Sequence, residues 1–278
     1  MTLLTFTVLV GAGSFAAGLL GALTGLGGGI VIVPMLTLLF HVSLRYAIGA
    51  SLVSVIATSS GAAAAYVREG YTNTRIGIFL EVATTMGALL GAGLAGFVPT
   101  RALAVLFGLV LVYTAFRSFE PHEEQPSTPL SHPWAVRLRL NGTYPTPNGE
   151  QPYSVQGVPA GFVGMLVAGT LSALLGIGSG AVKVLAMDRA MRLPFKVSTT
   201  TSNFMIGVTA AASAGIYLHR GYIEPELTFP VMLGVVAGAT LGARLLTAAK
   251  VSWLRKLFTA VIVILAIEML YKGVTGGL

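Results

Sequence analysis

Three groups of residues in this chain have the types and spacing that bind an oxyanion. The first is a pair of glycine runs, Gly25-Leu-Gly-Gly-Gly29 and Gly176-Ile-Gly-Ser-Gly180, 151 positions apart. Backbone N–H groups at Gly27, Gly28 and Gly29, and at Gly178, Ser179 and Gly180, can point at oxygen atoms, and glycine lets a ligand approach closely. The second is Lys183, three residues past the second run and surrounded by apolar sequence. An ammonium in hydrocarbon is costly unless it meets an anion, water or the interface, so it marks a functional site or a side chain snorkelling to the membrane edge. The third is Ser198-Thr-Thr-Thr-Ser-Asn203. Only one of six successive small polar residues can cap a helix. Thr199, Ser202 and Asn203 share a helical face, and Thr200 adds a fourth candidate donor. Ser51 holds the place in the first half that Ser202 holds in the second. Glu81 is a carboxylate within an apolar segment, read either as interfacial or as a coupling group.

These residues need a scaffold, and composition says which kind. Of 278 residues, 54% are hydrophobic and 10% charged, with a mean hydropathy of +0.81. Soluble domains carry about 25% charge, so this chain lacks the polar surface to face water all round. It reads as an all-α integral membrane protein. The net charge of +7 lies at helix ends rather than on one folded patch, which excludes a nucleic-acid partner as the reading. With no Cys there is no disulfide, thiolate metal site or Cys nucleophile, and no metal or cofactor is expected. The apolar start lacks a basic n-region and reads as a retained helix rather than a signal peptide.

Apolar segments run over 3–24, 30–40, 46–67, 75–97 and 101–117, then over 157–175, 181–187, 197–218, 228–249 and 254–271. Those of about 18–25 residues can cross about 30 Å of hydrocarbon, whereas 30–40 and 181–187 are too short to do so unaided. Each short one follows a glycine run, so each half opens with a helix, a break and a half-helix, followed by three spanning helices. Between the halves, 118–156 is a Pro-rich hydrophilic linker, flexible in part, with turn signals at Asn141-Gly142 and Asn148-Gly149. The division is 1–117, 118–156 and 157–278. Sliding 17–117 onto 168–268 without a gap gives identity at 28 of 101 positions, which marks a duplication. Gly87-x3-Gly91 and Gly238-x3-Gly242 read as close helix contacts.

Basic residues in the loops orient the chain. With the linker cytoplasmic, that side receives Arg68, Arg75, Arg117, Arg137, Arg139, Arg189, Arg192, Lys196, Lys250, Arg255 and Lys256, and the other side Arg45, Arg101, Arg220 and Lys272. The halves are then inverted-topology repeats, a plan common in secondary transporters, with the site where the breaks meet near the midplane.

Taken together, these features resemble the sulfite exporter TauE/SafE family, also called toluene sulfonate uptake permeases. The resemblance rests on Leu23-Thr-Gly-Leu-Gly-Gly-Gly-Ile-Val-Ile-Val-Pro34, its Gly176–Gly180 echo, the Lys196-x-Ser-Thr-Thr-Thr-Ser-Asn203 helix start and the Tyr-x-x-x-Gly-Tyr closures at 66–71 and 217–222. It implies a secondary transporter of the inner (cytoplasmic) membrane that moves sulfite, organosulfonates or related anions. The coupling ion would be H+ or Na+, and a homo-oligomer stays open. The second half departs from the first in having Lys183 opposite Ile32 and Leu185 opposite Pro34, which favours an asymmetric site. Two other readings compete. One is an anion channel of the same architecture. The other is an intramembrane serine protease on Ser179 and His219, whose nearest pattern needs Gly where Ile177 stands, so no enzyme is expected.

Overall fold

The computed structural model describes residues 2–24, 28–68, 70–119, 131–146, 149–178, 180–246 and 251–276. Gly25, Gly27 and Ser179, all named above, lie outside the described residues. In the first half come α1 (Leu3–Thr24), α2 (Gly29–Leu38), α3 (Leu44–Arg68), α4 (Thr74–Leu94) and α5 (Thr100–Phe119). The linker holds α6 (Pro133–Arg137), β1 (Gly142–Thr146) and β2 (Gly149–Tyr153). In the second half come α7 (Val158–Leu175), α8 (Gly180–Leu185) with a π-helical turn over Ala186–Ala190, α9 (Phe195–His219), α10 (Pro225–Leu246) and α11 (Val251–Thr275). The fold is mostly helical, as composition and segment lengths dictate, and every apolar segment read from the sequence carries a helix.

The short α2 is buried along its whole length, including Pro34 inside the helix. Proline there removes one backbone N–H and crowds the preceding turn, which is tolerable where other helices enclose the segment. The longer helices turn apolar side chains outward instead. Ile78, Val82, Met86 and Leu90 on α4, Val163 and Val167 on α7, and Ile264 and Ile267 on α11 are all exposed. Among the described residues, four helices are long and apolar enough to span a bilayer: Leu4–Gly21, Thr74–Leu94, Val158–Leu175 and Pro225–Gly242.

The duplication is legible in the packing. α1 lies on α10 and α4 on α7, so the first helix of each half packs on the fourth element of the other. The contacts correspond atom for atom across the 151-residue offset. A Cβ on Gly87 would overlap the carbonyl of Leu166, and one on Gly238 the carbonyl of Phe15. A Cβ on Gly169 would overlap the carbonyl of Thr84, and one on Gly18 that of Val235. These helices touch backbone to backbone, which only glycine permits. The turns repeat too. His41 and Arg192 both adopt left-handed φ of 55°. The Val42 amide donates to Leu36 O at 3.0 Å and the Leu193 amide to Met187 O at 3.1 Å.

The described part of the linker from residue 131 onward is more structured than the Pro-rich composition of 118–156 predicts. His132 caps α6 by accepting from the Trp134 amide at 3.2 Å. β1 and β2 form an antiparallel hairpin with Thr146 opposite Gly149. The unit docks on the start of α4, where Asn73 Nδ2 donates to Leu140 O at 3.0 Å and to the Tyr153 hydroxyl at 2.6 Å. Burial pushes the Tyr153 phenol above its ordinary pKa. Asn141 is spent on structure as well, its Oδ1 accepting from the Val155 amide at 2.9 Å. Composition signals turns here, but the position of the segment against the helices depends on hydrogen bonds from Asn73 at the start of α4, more than sixty residues away in sequence.

Candidate functional site

The second glycine run breaks the helix because two of its residues need left-handed backbone. Gly176 ends α7 at φ 68°, its amide donating to Ser172 O at 2.8 Å, and Gly178 follows at φ 69°. A side chain at either position is strained. The first run leads into α2, whose N-cap Gly28 makes no side-chain capping bond. The amides at the start of that helix therefore have no side-chain cap, and the Val31 amide turns back to Gly28 O at 3.1 Å.

The two breaks meet. The position a Cβ would take on Gly29 lies 2.9 Å from Gly176 O and 3.0 Å from Ser51 Oγ. Ser51, wholly buried on α3, donates to Gly176 O at 2.7 Å and so joins the halves directly. Val55, one turn further along α3, reaches both Gly29 and Gly178. Alanine at Ser51 would leave the buried Gly176 carbonyl without this donor. We expect a loss of about 1 kcal/mol in stability, read as a lower melting temperature of the purified protein, with Ser51→Thr closer to wild type.

α9 brings the polar residues to this junction along one stripe. Ser202 Oγ lies 3.4 Å from Gly180 O, Ile206 packs on Gly178, and Thr209 Oγ1 accepts from Lys183 Nζ at 2.6 Å. Lys183 is 0% exposed, so the snorkelling alternative is excluded by its burial. Thr209 in turn donates to Glu81 Oε1 at 2.7 Å, and Thr85 donates to the same oxygen at 3.2 Å. Glu81 Oε2 is buried with no hydrogen bond. The result is a chain of three side chains from α8, α9 and α4, cation to hydroxyl to carboxylate.

At the start of α9, the roles divide. Thr200 Oγ1 donates back to Lys196 O at 2.9 Å, as helical threonines often do. Thr199 Oγ1 and Ser198 Oγ are buried with no partner, and Asn203 is half-buried. Ser172 Oγ, one turn before the second break, is likewise unpartnered. Unpartnered buried hydroxyls are uncommon and mark places where a polar ligand or water would be accommodated.

Sequence reasoning missed two features. Thr209 matches Thr58 across the repeat, yet a threonine in an apolar helix carries no signal of which cation it will meet. The second feature is a pair of clasps at opposite ends of α3 and α9. Arg45, at the start of α3, lies over the ring of Tyr222, just past α9, at 5.7 Å. Lys196, at the start of α9, lies over the ring of Tyr71, just past α3, also at 5.7 Å. Arg45 and Lys196 are repeat counterparts, as are Tyr71 and Tyr222, so the offset alone held the signal. The clasps require α3 and α9 to run antiparallel. Each is a cation–π contact, and Arg45 also donates to the Tyr222 hydroxyl at 3.2 Å.

Apolar helix faces turned outward, several bilayer-length helices and polar side chains gathered where broken helices meet define a multi-pass membrane protein with an internal polar site. The sequence model of one family, Sulfite exporter TauE/SafE, matches residues 10–269. The chain belongs to that family. It is 27% identical to the "Probable membrane transporter protein YunE" of Bacillus subtilis (strain 168), over 98% of this chain and 99% of that protein. A second B. subtilis relative, "Probable membrane transporter protein YdhB", is 26% identical over 83% of this chain and 86% of its own length. The archaeal "Probable membrane transporter protein MJ0441" of Methanocaldococcus jannaschii is 23% identical over 97% and 96%. No solved structure matches the chain.

Proposed function

We propose that the protein is a secondary transporter that moves sulfite, an organosulfonate or another small sulfur-containing anion across the cytoplasmic membrane by alternating access. The observation that carries this reading is the wholly buried Lys183, hydrogen-bonded beside the junction of the two glycine breaks. A buried ammonium supplies the charge for an oxyanion. Unspent hydroxyls at Ser198 and Thr199 and the first amides of α2 at Gly28–Gly29 supply neutral donors. In this reading Gly178, Gly180, Ser51, Thr200, Ser202 and Asn203 complete the wall of the site, and Glu81 serves coupling.

Two observations support alternating access. The counterparts α3 and α9 run antiparallel, as inverted repeats require. Equivalent clasps close the two ends of that helix pair, so the ends are chemically matched. Carrier and channel separate in counterflow. Proteoliposomes preloaded with unlabelled thiosulfate are expected to take up labelled thiosulfate faster than empty ones. No trans-stimulation, with single-channel currents, would instead identify a pore.

A further inference from the structure

We infer that Glu81 is a proton site that competes with the substrate for Lys183, so that each anion binds together with one proton. The inference rests on the anion-transport reading and goes beyond it by naming the coupling ion and the atoms that exchange it. Three observations carry it. Lys183 is wholly buried, and its neutralising group among the described residues is Glu81, reached through the Thr209 hydroxyl. Glu81 Oε2 is buried without a donor, which leaves one carboxylate oxygen open to take a proton. Thr209 has a single hydroxyl proton and two acceptors in reach, Glu81 Oε1 at 2.7 Å and Met205 O at 3.1 Å. It can turn from one to the other while still accepting from Lys183.

Among the described residues, the helices that pack on α4 add no other ionised side chain beside Glu81. α4 packs on α7 and α9. α7 contains no ionisable residue, and α9 carries Lys196 at its start and Tyr217 and His219 in its last turn. On the side of Lys183, the π-helical turn after α8 carries Asp188 and Arg189. Thr84 and Thr85 are the other polar neighbours on α4 itself, with Thr84 Oγ1 donating to Glu81 O at 3.1 Å. The repeat offers no second copy of the arrangement, since Ile32 stands opposite Lys183 and Met232 opposite Glu81.

With Glu81 ionised, Lys183 is already neutralised, and a second anion would bring an unpaired negative charge into low dielectric. A proton from water on Glu81 Oε2 converts the carboxylate to the neutral acid. Thr209 then swings to Met205 O, and the ammonium is free to pair with the incoming anion. Loss of that proton on the other side restores the Glu81–Lys183 pair and expels the anion. Proton and anion therefore travel in the same direction, and the charge of the triad plus a monovalent substrate stays constant.

Calorimetry of the full-length protein in detergent tests this. Thiosulfate and methanesulfonate are titrated in Tris and in bis-Tris, cationic buffers without a competing sulfonate. Neither anion titrates near neutral pH, so the buffer dependence of the heat counts protons taken up by the protein. About one proton per anion is expected for wild type, with affinity falling about tenfold per pH unit once Glu81 ionises. Glu81→Gln is expected to bind with no proton uptake and no such pH dependence, and Glu81→Asp to keep both. Should the glutamine variant not fold, the wild-type count and the Asp variant still decide. Anion binding by wild type without proton uptake, or equal uptake in wild type and Glu81→Gln, would overturn the proton site and leave the anion reading standing. No binding of either anion would overturn the anion reading, and the inference with it.

Discussion

Methionine at position 183 is expected to weaken anion binding about 10- to 100-fold, because a hydrogen bond to a charged group contributes about 1.5–3 kcal/mol and each 1.4 kcal/mol is a factor of ten. Methionine keeps most of the volume of the buried side chain, so the loss reports the charge rather than a cavity. It also strands Glu81, whose Oε1 would keep Thr209 and Thr85 but lose the cation behind them. Breaking a buried pair from one side costs about 3–5 kcal/mol, so the single variant should melt well below wild type. The double variant Glu81→Gln/Lys183→Met removes both charges and should recover most of that stability without recovering binding. Uptake of labelled thiosulfate into proteoliposomes, beside the melting temperatures, separates the two effects. Undiminished uptake by the single variant at subsaturating substrate would remove Lys183 from the site.

The second large effect is predicted far from any chemistry. Alanine at Gly87 or Gly169 would push a methyl into the backbone of the opposing helix, at Leu166 or Thr84. Overpacking of this kind costs about 1–3 kcal/mol, and here a carbonyl rather than a flexible side chain has to move. We expect each variant to lose melting temperature, and the pair Gly87→Ala/Gly238→Ala, which splits both interlocked helix pairs, to lose the monodisperse peak on size exclusion. Gly215→Ala is the control. Nothing lies within 4 Å of its added Cβ, and alanine is about 1 kcal/mol better than glycine inside a helix. That variant should be as stable as wild type or more so. Equal tolerance at all these glycines would mean that the helix pairs do not touch through their backbones.

Much of this architecture was legible because it follows from local rules. A mostly apolar chain must satisfy its backbone within helices, so segment lengths gave the elements to within a few residues. The Gly-x3-Gly spacing identified close contacts because only small residues let helices approach, although not which helices they were. The linker was less legible. Proline and turn pairs describe local conformation, whereas the docking of the hairpin unit on α4 depends on Asn73, a residue of the first half.

The same division holds for the site. Two glycine breaks, their being copies, their unequal surroundings and the need of Lys183 for a partner in apolar sequence all follow from residue types and the 151-residue offset. The identity of that partner follows from the packing of the helices. Glu81 and Thr209 lie 128 positions apart, and no periodicity or spacing couples residues on helices from different halves. Their meeting depends on α4 packing against α9 and on α8 being laid along α9 by the left-handed turns at Gly176 and Gly178. Ser51 shows the same limit from the other side. Its match to Ser202 made it a candidate ligand, yet the fold turned its hydroxyl to Gly176 O, because a buried carbonyl at a broken helix end must find a donor.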